Sequence, residues 1–193
     1  MATPDSSFPA LTTRRLRLRC FATRDLADLH AFVGDPDAMR FWNSPPCRTM
    51  AETERALQWL AKTTSPYDHL AWAVCKKSND RCIGMVNYHQ RDARNRRLHV
   101  GYVIATKHQG NGFGTEAVEA VLKYCADMLD VHRVAALIDP DNVASVRLVE
   151  RLGFRCEGGP LTDYWLVGNT FKSVMIYARV NAKRRPRPRR GGA

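Results

Sequence analysis

Near the start of the chain Leu16, Leu18 and Cys20 alternate with Arg17 and Arg19, a period of two that predicts a strand with one buried face. The period then lengthens. Leu26, Leu29, Phe32 and Val33 recur at helical spacing after Thr23, which predicts a helix capped by that threonine. Thr49 and Glu52 have the spacing of a capping box and open a second helix that turns Ala56, Leu57 and Leu60 inward. Strands over 70–76 and 81–90 follow, separated by the turn Ser78-Asn79-Asp80. The second runs on through 92–97 into a mostly buried strand over 98–104, and a hairpin turning about Arg94 would set His89 across from His99. A helix over 115–129 then presents Val118, Val121, Leu122, Cys125 and Leu129 on one face. After an apolar strand over 134–138, a short helix carries Val146, Val149 and Leu152 and ends at Gly153, a natural C′ residue, with Phe154 placed to pack back. Two last strands, over 163–167 and 170–179, meet at Gly168-Asn169.

Strands and helices that alternate without a linker-like break predict one α/β domain with a mixed sheet, spanning residues 11–180 of the 193. Residues 1–10 read as a flexible N-terminus and 181–193 as a basic tail. The chain has no apolar run of membrane-spanning length and no charged-then-apolar leader, so a soluble, cytoplasmic protein with no membrane partner is expected. Six cysteines without a Cys-x-x-Cys pair suit free thiols in a reducing compartment, and no metal site is expected.

Charge adds one further feature. The net charge is +11, and six of the eight residues from Lys183 to Arg190 are cations. So basic and proline-rich a segment does not fold alone and favours ribosomes or RNA through salt-sensitive phosphate contacts.

The chemistry begins at Gln109-Gly110-Asn111-Gly112-Phe113-Gly114, between the strand ending near Ala105 and the helix from Thr115. Glycines there let successive backbone N–H groups converge on an anion at the positive end of the helix. The spacing fits neither a P-loop nor a dinucleotide fingerprint, which would need glycine or alanine at Thr115. The remaining pattern, Gln-x-x-Gly-x-Gly, resembles the acetyl-coenzyme-A pyrophosphate loop of the GNAT superfamily of N-acetyltransferases. About thirty residues on, Asn142-Val-Ala-Ser145 through Leu152-Gly153-Phe154 is similar to that family's second signature. Ile83-Gly84, Asn95-Arg96, Gly101-Tyr102, the opening Leu16-Arg17-Leu18, Phe41-Trp42 and the closing hairpin extend the likeness to the ribosomal-protein N-terminal alanine or serine acetyltransferase branch, over roughly residues 11–180.

The resemblance implies the acyl-CoA N-acyltransferase fold, with flanking helices and a splayed pair of parallel strands ending near Ala105 and Ile138. It implies acetyl-CoA as cosubstrate, held by the main chain of Val103, Ile104 and Ala105 and by Gln109, Gly110, Asn111, Gly112, Phe113, Gly114, Thr115 and Asn142. A main-chain N–H near Val103 would polarise the thioester carbonyl. Ser145 matches the position of the branch's general acid, while the tyrosine that other members use falls at Val149. His99 stands where relatives carry a glutamate base, and an imidazole suits that role near neutral pH, with His89 as the alternative. The acceptor groove would take in Phe41, Trp42, His89, Tyr164 and Trp165.

The expected acceptor is a primary amine, first of all a protein N-terminus. Holding an α-amine neutral at pH 7 costs about 1 kcal/mol against about 4.6 for lysine, so an N-terminal acceptor tolerates a weak base. A small amine or antibiotic is the second expectation, and a CoA-binding or RNA-associated module without catalysis the third. The protein is expected as a monomer or homodimer.

Overall fold

The computed structural model describes residues 8–62 and 69–181. Eight strands form one mixed sheet: β1 (Leu11–Thr12), β2 (Leu16–Arg19), β3 (Leu70–Lys76), β4 (Cys82–Asp92), β5 (Arg97–Ile104), β6 (Arg133–Ile138), β7 (Arg155–Val167) and β8 (Thr170–Val180). Their order is β1-β2-β3-β4-β5-β6-β8-β7. All neighbours are antiparallel except β5 and β6, joined by a crossover through the long helix α4 (Phe113–Met128). The other helices are α1 (Leu26–Val33), α2 (Pro36–Met39), α3 (Met50–Lys62) and α5 (Val143–Arg151). The basic tail from Lys183 lies outside the described residues.

Both faces of the sheet are covered, which is why β3 reads as an unbroken apolar run rather than an alternation. Its residues 72 and 74 join Leu16, Leu18, Val86, Tyr88, Val118 and Val121 in a core beneath α4 and α5. Residues 71, 73 and 75 face the other way, toward Leu29, Phe32, Leu57 and Leu60 of α1 and α3. No helix among the described residues is long and apolar enough to cross a membrane. All six cysteines are free thiols; three are buried and Cys156 is exposed.

Local chemistry moves two of the expected boundaries and changes one capping partner. Thr23 is not the cap of α1: it opens a 3-10 turn over Thr23–Asp25 that leads into the helix. Asp25 closes that turn, accepting the Ala22 N–H at 2.9 Å and the Arg19 guanidinium at 2.7 and 2.8 Å, a bidentate pair in the interior that no local pattern announces. At α3 the Glu52 N–H donates to Thr49 Oγ1 as expected, but the Glu52 carboxylate takes the Arg48 N–H rather than that of Thr49. The strand predicted over 163–167 begins at Arg155. Residues 155–162, with two glycines and a proline, do not look like a strand, but pairing with the apolar β8 holds them extended across several register shifts. Gly153 does end α5 at φ +83, with the Phe154 N–H returning to Val149 O at 3.0 Å and Phe154 buried.

Candidate active site

The parallel pairing of β5 with β6 covers only Arg97, Leu98 and His99 against Arg133, Val134 and Ala135. Past these residues the two strands separate, and β5 remains bonded to β4 alone. Ala105 donates its N–H to Ile83 O at 2.9 Å. An antiparallel ladder turns every second residue the same way, so His99, Gly101 and Val103 also direct their main-chain groups at β4. The Val100 N–H is taken by the last parallel pair with β6, so the groups left at the open edge are the Val100 carbonyl and those of Tyr102 and Ile104. The main-chain groups of Val103 and Ala105, expected at the opening, therefore face β4, whereas those of Ile104 face the opening, its carbonyl already accepting Gln109 Nε2 at 2.9 Å. Strand parity cannot be read from composition, which is why the sequence missed this.

The glycine loop follows. Gly112 is the N-cap of α4 at φ +75, a left-handed conformation that costs an L-residue about 1–2 kcal/mol. The first-turn amides of α4 have no helical acceptor and point out of the helix end. Several expected loop residues serve the loop itself. Asn111 Nδ2 donates to Gln109 O at 2.9 Å, and Arg15 Nη1 donates to Asn111 O at 2.9 Å. The Phe113 ring lies under the Arg15 guanidinium, 4.5 Å from its centroid, with Lys76 Nζ at 5.9 Å. Arg15 also bonds Glu116 from its guanidinium at 2.6 Å and its main chain at 2.7 Å. Burial alone would raise the Glu116 carboxyl, but hydrogen bonds from Thr13 and Arg15 outweigh it and hold it below the usual range. This anchor ties α4 to the strand edge. A residue fifteen places from the N-terminus thus shapes a loop near 112, a contact with no local signal.

A cavity of about 630 Å³ opens where β5 and β6 part. Ser145 and Asn142 line it from α5, Tyr102 and Gly101 from β5, and Asn87 and His89 from β4. Phe41, Trp42, Trp59, His69 and Trp165 close its other side, so the site brings together distant parts of the chain. Tyr164 is exposed beside Trp165. Asn142 caps α5, its Oδ1 accepting the Ser145 N–H at 3.1 Å. The Tyr102 hydroxyl donates to Ser145 O at 3.4 Å, and burial pushes its pKa up to about 12, against the smaller lowering from that bond. Val149 is fully buried in the core. Tyr102 was visible within the Gly-Tyr motif without a role; only the parting of the strands brings its hydroxyl to α5.

His89 and His99 pair across β4 and β5 as the hairpin reading expects, with ring centroids 5.7 Å apart. His89 lines the cavity and His99 does not. Burial lowers His99, helped by the charges of Arg97 and Arg133. Burial, then His99 and His69, lower His89 to about 4. Both rings are therefore neutral at pH 7. A base whose folded pKa lies below its unfolded value of about 6.5 is protonated more readily in the unfolded chain. Stability from these histidines is present in full above pH 6.5 and lost as pH falls toward 4. The melting temperature should drop across that window, and a His89→Gln, His99→Gln double variant should drop less; parallel curves for the two proteins would contradict the assignment.

No group of three or more metal-ligating side chains occurs among the described residues. A strand pair opened around a cavity, a glycine loop at a helix N-terminus and a helix entering from Asn142 together define an acyl-CoA-type transferase. The acetyltransferase (GNAT) domain family matches residues 15–155, and the chain belongs to it. It is a GNAT N-acetyltransferase, and the reaction is acetyl transfer.

Among its relatives, the uncharacterized N-acetyltransferase YoaA of Bacillus subtilis is 27% identical over 176 residues, covering 91% of this chain and 99% of YoaA. Two solved structures share the fold. A putative ribosomal-protein-serine acetyltransferase from Vibrio cholerae superposes with a TM-score of 0.77 at 21% identity, covering 93% of this chain and all of that one. Spermidine N-acetyltransferase from Vibrio cholerae, solved with CoA and spermine, gives 0.75 at 22% identity, covering 89% of this chain and 99% of its own. Family membership sets aside the expectation of a module without catalysis.

Proposed function

We propose that the protein moves the acetyl group of acetyl-CoA to the α-amine of a polypeptide N-terminus by direct attack in a ternary complex. The observation that carries this reading is the lining of the cavity. Among the described residues that line it, Asp139 is the one carboxylate, and tryptophans, Phe41 and neutral histidines make up most of the acceptor side. Such a surface suits an amine with one charge and apolar neighbours. A polyamine would bring several charges into it with one carboxylate to meet them, and unpaired charges out of water are costly.

The steps use this chain's own groups. Amides at the loop and first turn of α4, near Gly112 to Thr115, would hold the pyrophosphate. The open-edge N–H groups of Tyr102 and Ile104 would meet the pantetheine arm and the thioester carbonyl. The amine nitrogen bonds the acetyl carbon, the C–S bond breaks, and the amine proton leaves toward His89 and His99. The departing thiolate takes a hydrogen bond or proton from Ser145 Oγ or the Tyr102 hydroxyl. Because both hydroxyls lie at one end of α5, Ser145→Ala and Tyr102→Phe should each lower kcat by about tenfold and the pair by more, a hydrogen bond to a charged group being worth about 1.5–3 kcal/mol. A double variant as active as wild type would remove both from the mechanism.

Since the histidines are neutral at pH 7, the acid side of the pH profile above 7 should report the acceptor. For a peptide, kcat/KM should rise to a plateau with its inflection near pH 7.7–8.0. His99→Gln should lower the plateau without moving that inflection, and a moved inflection would identify His99 as the titrating group.

The reading is tested by thiol release from acetyl-CoA against N-terminal peptides, spermidine, aminoglycosides and amino acids, with mass spectrometry locating the acetyl group. Peptide α-amine acetylation supports it; turnover of spermidine alone would replace it with a small-amine acceptor.

A further inference from the structure

The protein carries 30 lysines and arginines and a net charge of +11, yet no lysine or arginine among the described residues lines the cavity. A field so positive repels a cationic ligand unless the site holds negative charge of its own. That charge is Asp139, just past the end of β6, where this strand has parted from β5. Asp139 is 8% exposed. Its Oδ1 accepts the Asp141 N–H at 2.9 Å and its carbonyl accepts the Asn142 N–H at 2.9 Å, which together fix the turn into α5. Its Oδ2 accepts no hydrogen bond among the described residues and is not sealed off, which leaves it open to the cavity. The turn needs only one oxygen, and the carboxamide of an asparagine would supply it. A carboxylate nine-tenths buried with one oxygen unpaired is costly, so the second oxygen calls for a reason.

We propose that Asp139 selects and docks the acceptor amine, with Oδ2 accepting an N–H of its ammonium form. The proposal rests on the acetyl-transfer reading of the cavity and holds for any primary amine with a single charge, peptide or not. The other groups of the cavity leave the carboxylate to the ligand. Its titratable neighbours there are Cys47, His69, His89 and Tyr102. Burial lowers both histidines, which are neutral at pH 7, and a thiol or phenol carries no positive charge. Phe41, Trp42 and Trp165 present aromatic faces, which attract an ammonium. Asp139 precedes Asn142 by three residues and Ser145 by six, so an amine held on it lies at the α5 end of the cavity, where Ser145 and Tyr102 also stand. Docking takes no proton and makes no covalent bond. As the nitrogen bonds the acetyl carbon it becomes positive again, and the same oxygen meets that charge, so the interaction is kept in the transition state.

The test uses an alanine-initiated tetrapeptide, 2-phenylethylamine and the uncharged counterpart of the latter, 2-phenylethanol. Binding to the CoA complex is followed by quenching of the cavity tryptophans, and turnover by thiol release. The wild-type protein should bind 2-phenylethylamine about tenfold or more tighter than the alcohol. Asp139→Asn keeps the size and an Oδ1 for the Asp141 N–H; it should weaken binding of each bound amine by about tenfold or more and leave the alcohol within about twofold, so that the preference for charge is lost. The CoA-induced rise in melting temperature should be unchanged. A carboxylate favours the charged form of a bound amine, so the kcat inflection of the peptide should lie above that of the free amine in the wild-type protein and fall by about one pH unit or more in Asp139→Asn, while the kcat/KM inflection, set by the free peptide, stays in place.

A preference for amine over alcohol that survives Asp139→Asn would overturn the proposal, as would its absence from the wild-type protein. An equal loss for amine and alcohol, or a kcat inflection that does not move, would reduce Asp139 to its part in the turn. Binding of 2-phenylethylamine without the peptide overturns the peptide reading, and the Asp139 assignment is then read on that probe. If neither amine quenches the wild-type protein, both are overturned.

Discussion

Gly112→Val should weaken acetyl-CoA binding by about 100-fold or more, read as Kd or KM for acetyl-CoA, while kcat at saturation changes little. Valine is strained at φ +75 by more than the 1–2 kcal/mol of an ordinary side chain, so the loop relaxes to another conformation. That relaxation turns the first-turn amides of α4 away from a common point. Each charge-assisted bond to phosphate is worth about 1.5–3 kcal/mol, and 1.4 kcal/mol is tenfold in affinity, so two lost bonds account for the change. Gly153→Val supplies the control. It has a similar positive φ of +83, with open space around its missing Cβ, at the other end of α5. It should cost stability without altering acetyl-CoA affinity. Equal effects of the two substitutions would show that backbone strain, not the loop's amides, is what matters.

Asp25→Ala should have the largest effect on stability. Asp25 is 2% exposed and holds Arg19, itself mostly buried, by two hydrogen bonds, while its Oδ2 closes the turn at Ala22. Removing one member of a buried pair leaves the other without compensation, at about 3–5 kcal/mol. For a chain of this length each kcal/mol moves the melting temperature by about 2–4 °C, so a fall on the order of 6–20 °C is expected. Arg19 also reaches Asp80, at 3.3 Å and in a more exposed setting. Asp80→Ala should therefore cost about 1 kcal/mol or less. A fall no larger for Asp25→Ala than for Asp80→Ala would mean that water reaches Arg19 once the carboxylate is gone.

The two predictions separate what holds the domain from what the loop does, and they differ in how early each was visible. The glycine loop was legible because its cause is local: glycine conformational freedom at a helix start. Asp25 was read past, since its partner Arg19 lies on a strand six residues back and the turn between them carries no pattern of its own. The same distinction runs through the site. Ser145 and Asn142 were available from the resemblance to the family's second signature and the His89–His99 register from the hairpin pattern, whereas Arg15 at the loop, Tyr102 at α5 and Asn87 beside His69 are tertiary contacts.

By itself the sequence determined most element types, their order and the glycine turn at the head of α4, because hydrophobic period and glycine placement act over a few residues at a time, and its motifs carried the resemblance to the family. The tertiary structure decided where β5 parts from β6, which main-chain groups face that opening, and which aromatic and amide side chains surround it. Those features depend on strand parity and on contacts between segments up to about a hundred residues apart, as between Arg15 and Glu116, which no local pattern encodes. The carboxamide of Asn87 is the sharpest instance: an ordinary strand residue in the sequence, and in the fold a buried oxygen packed against Gly101, where any Cβ would crowd it.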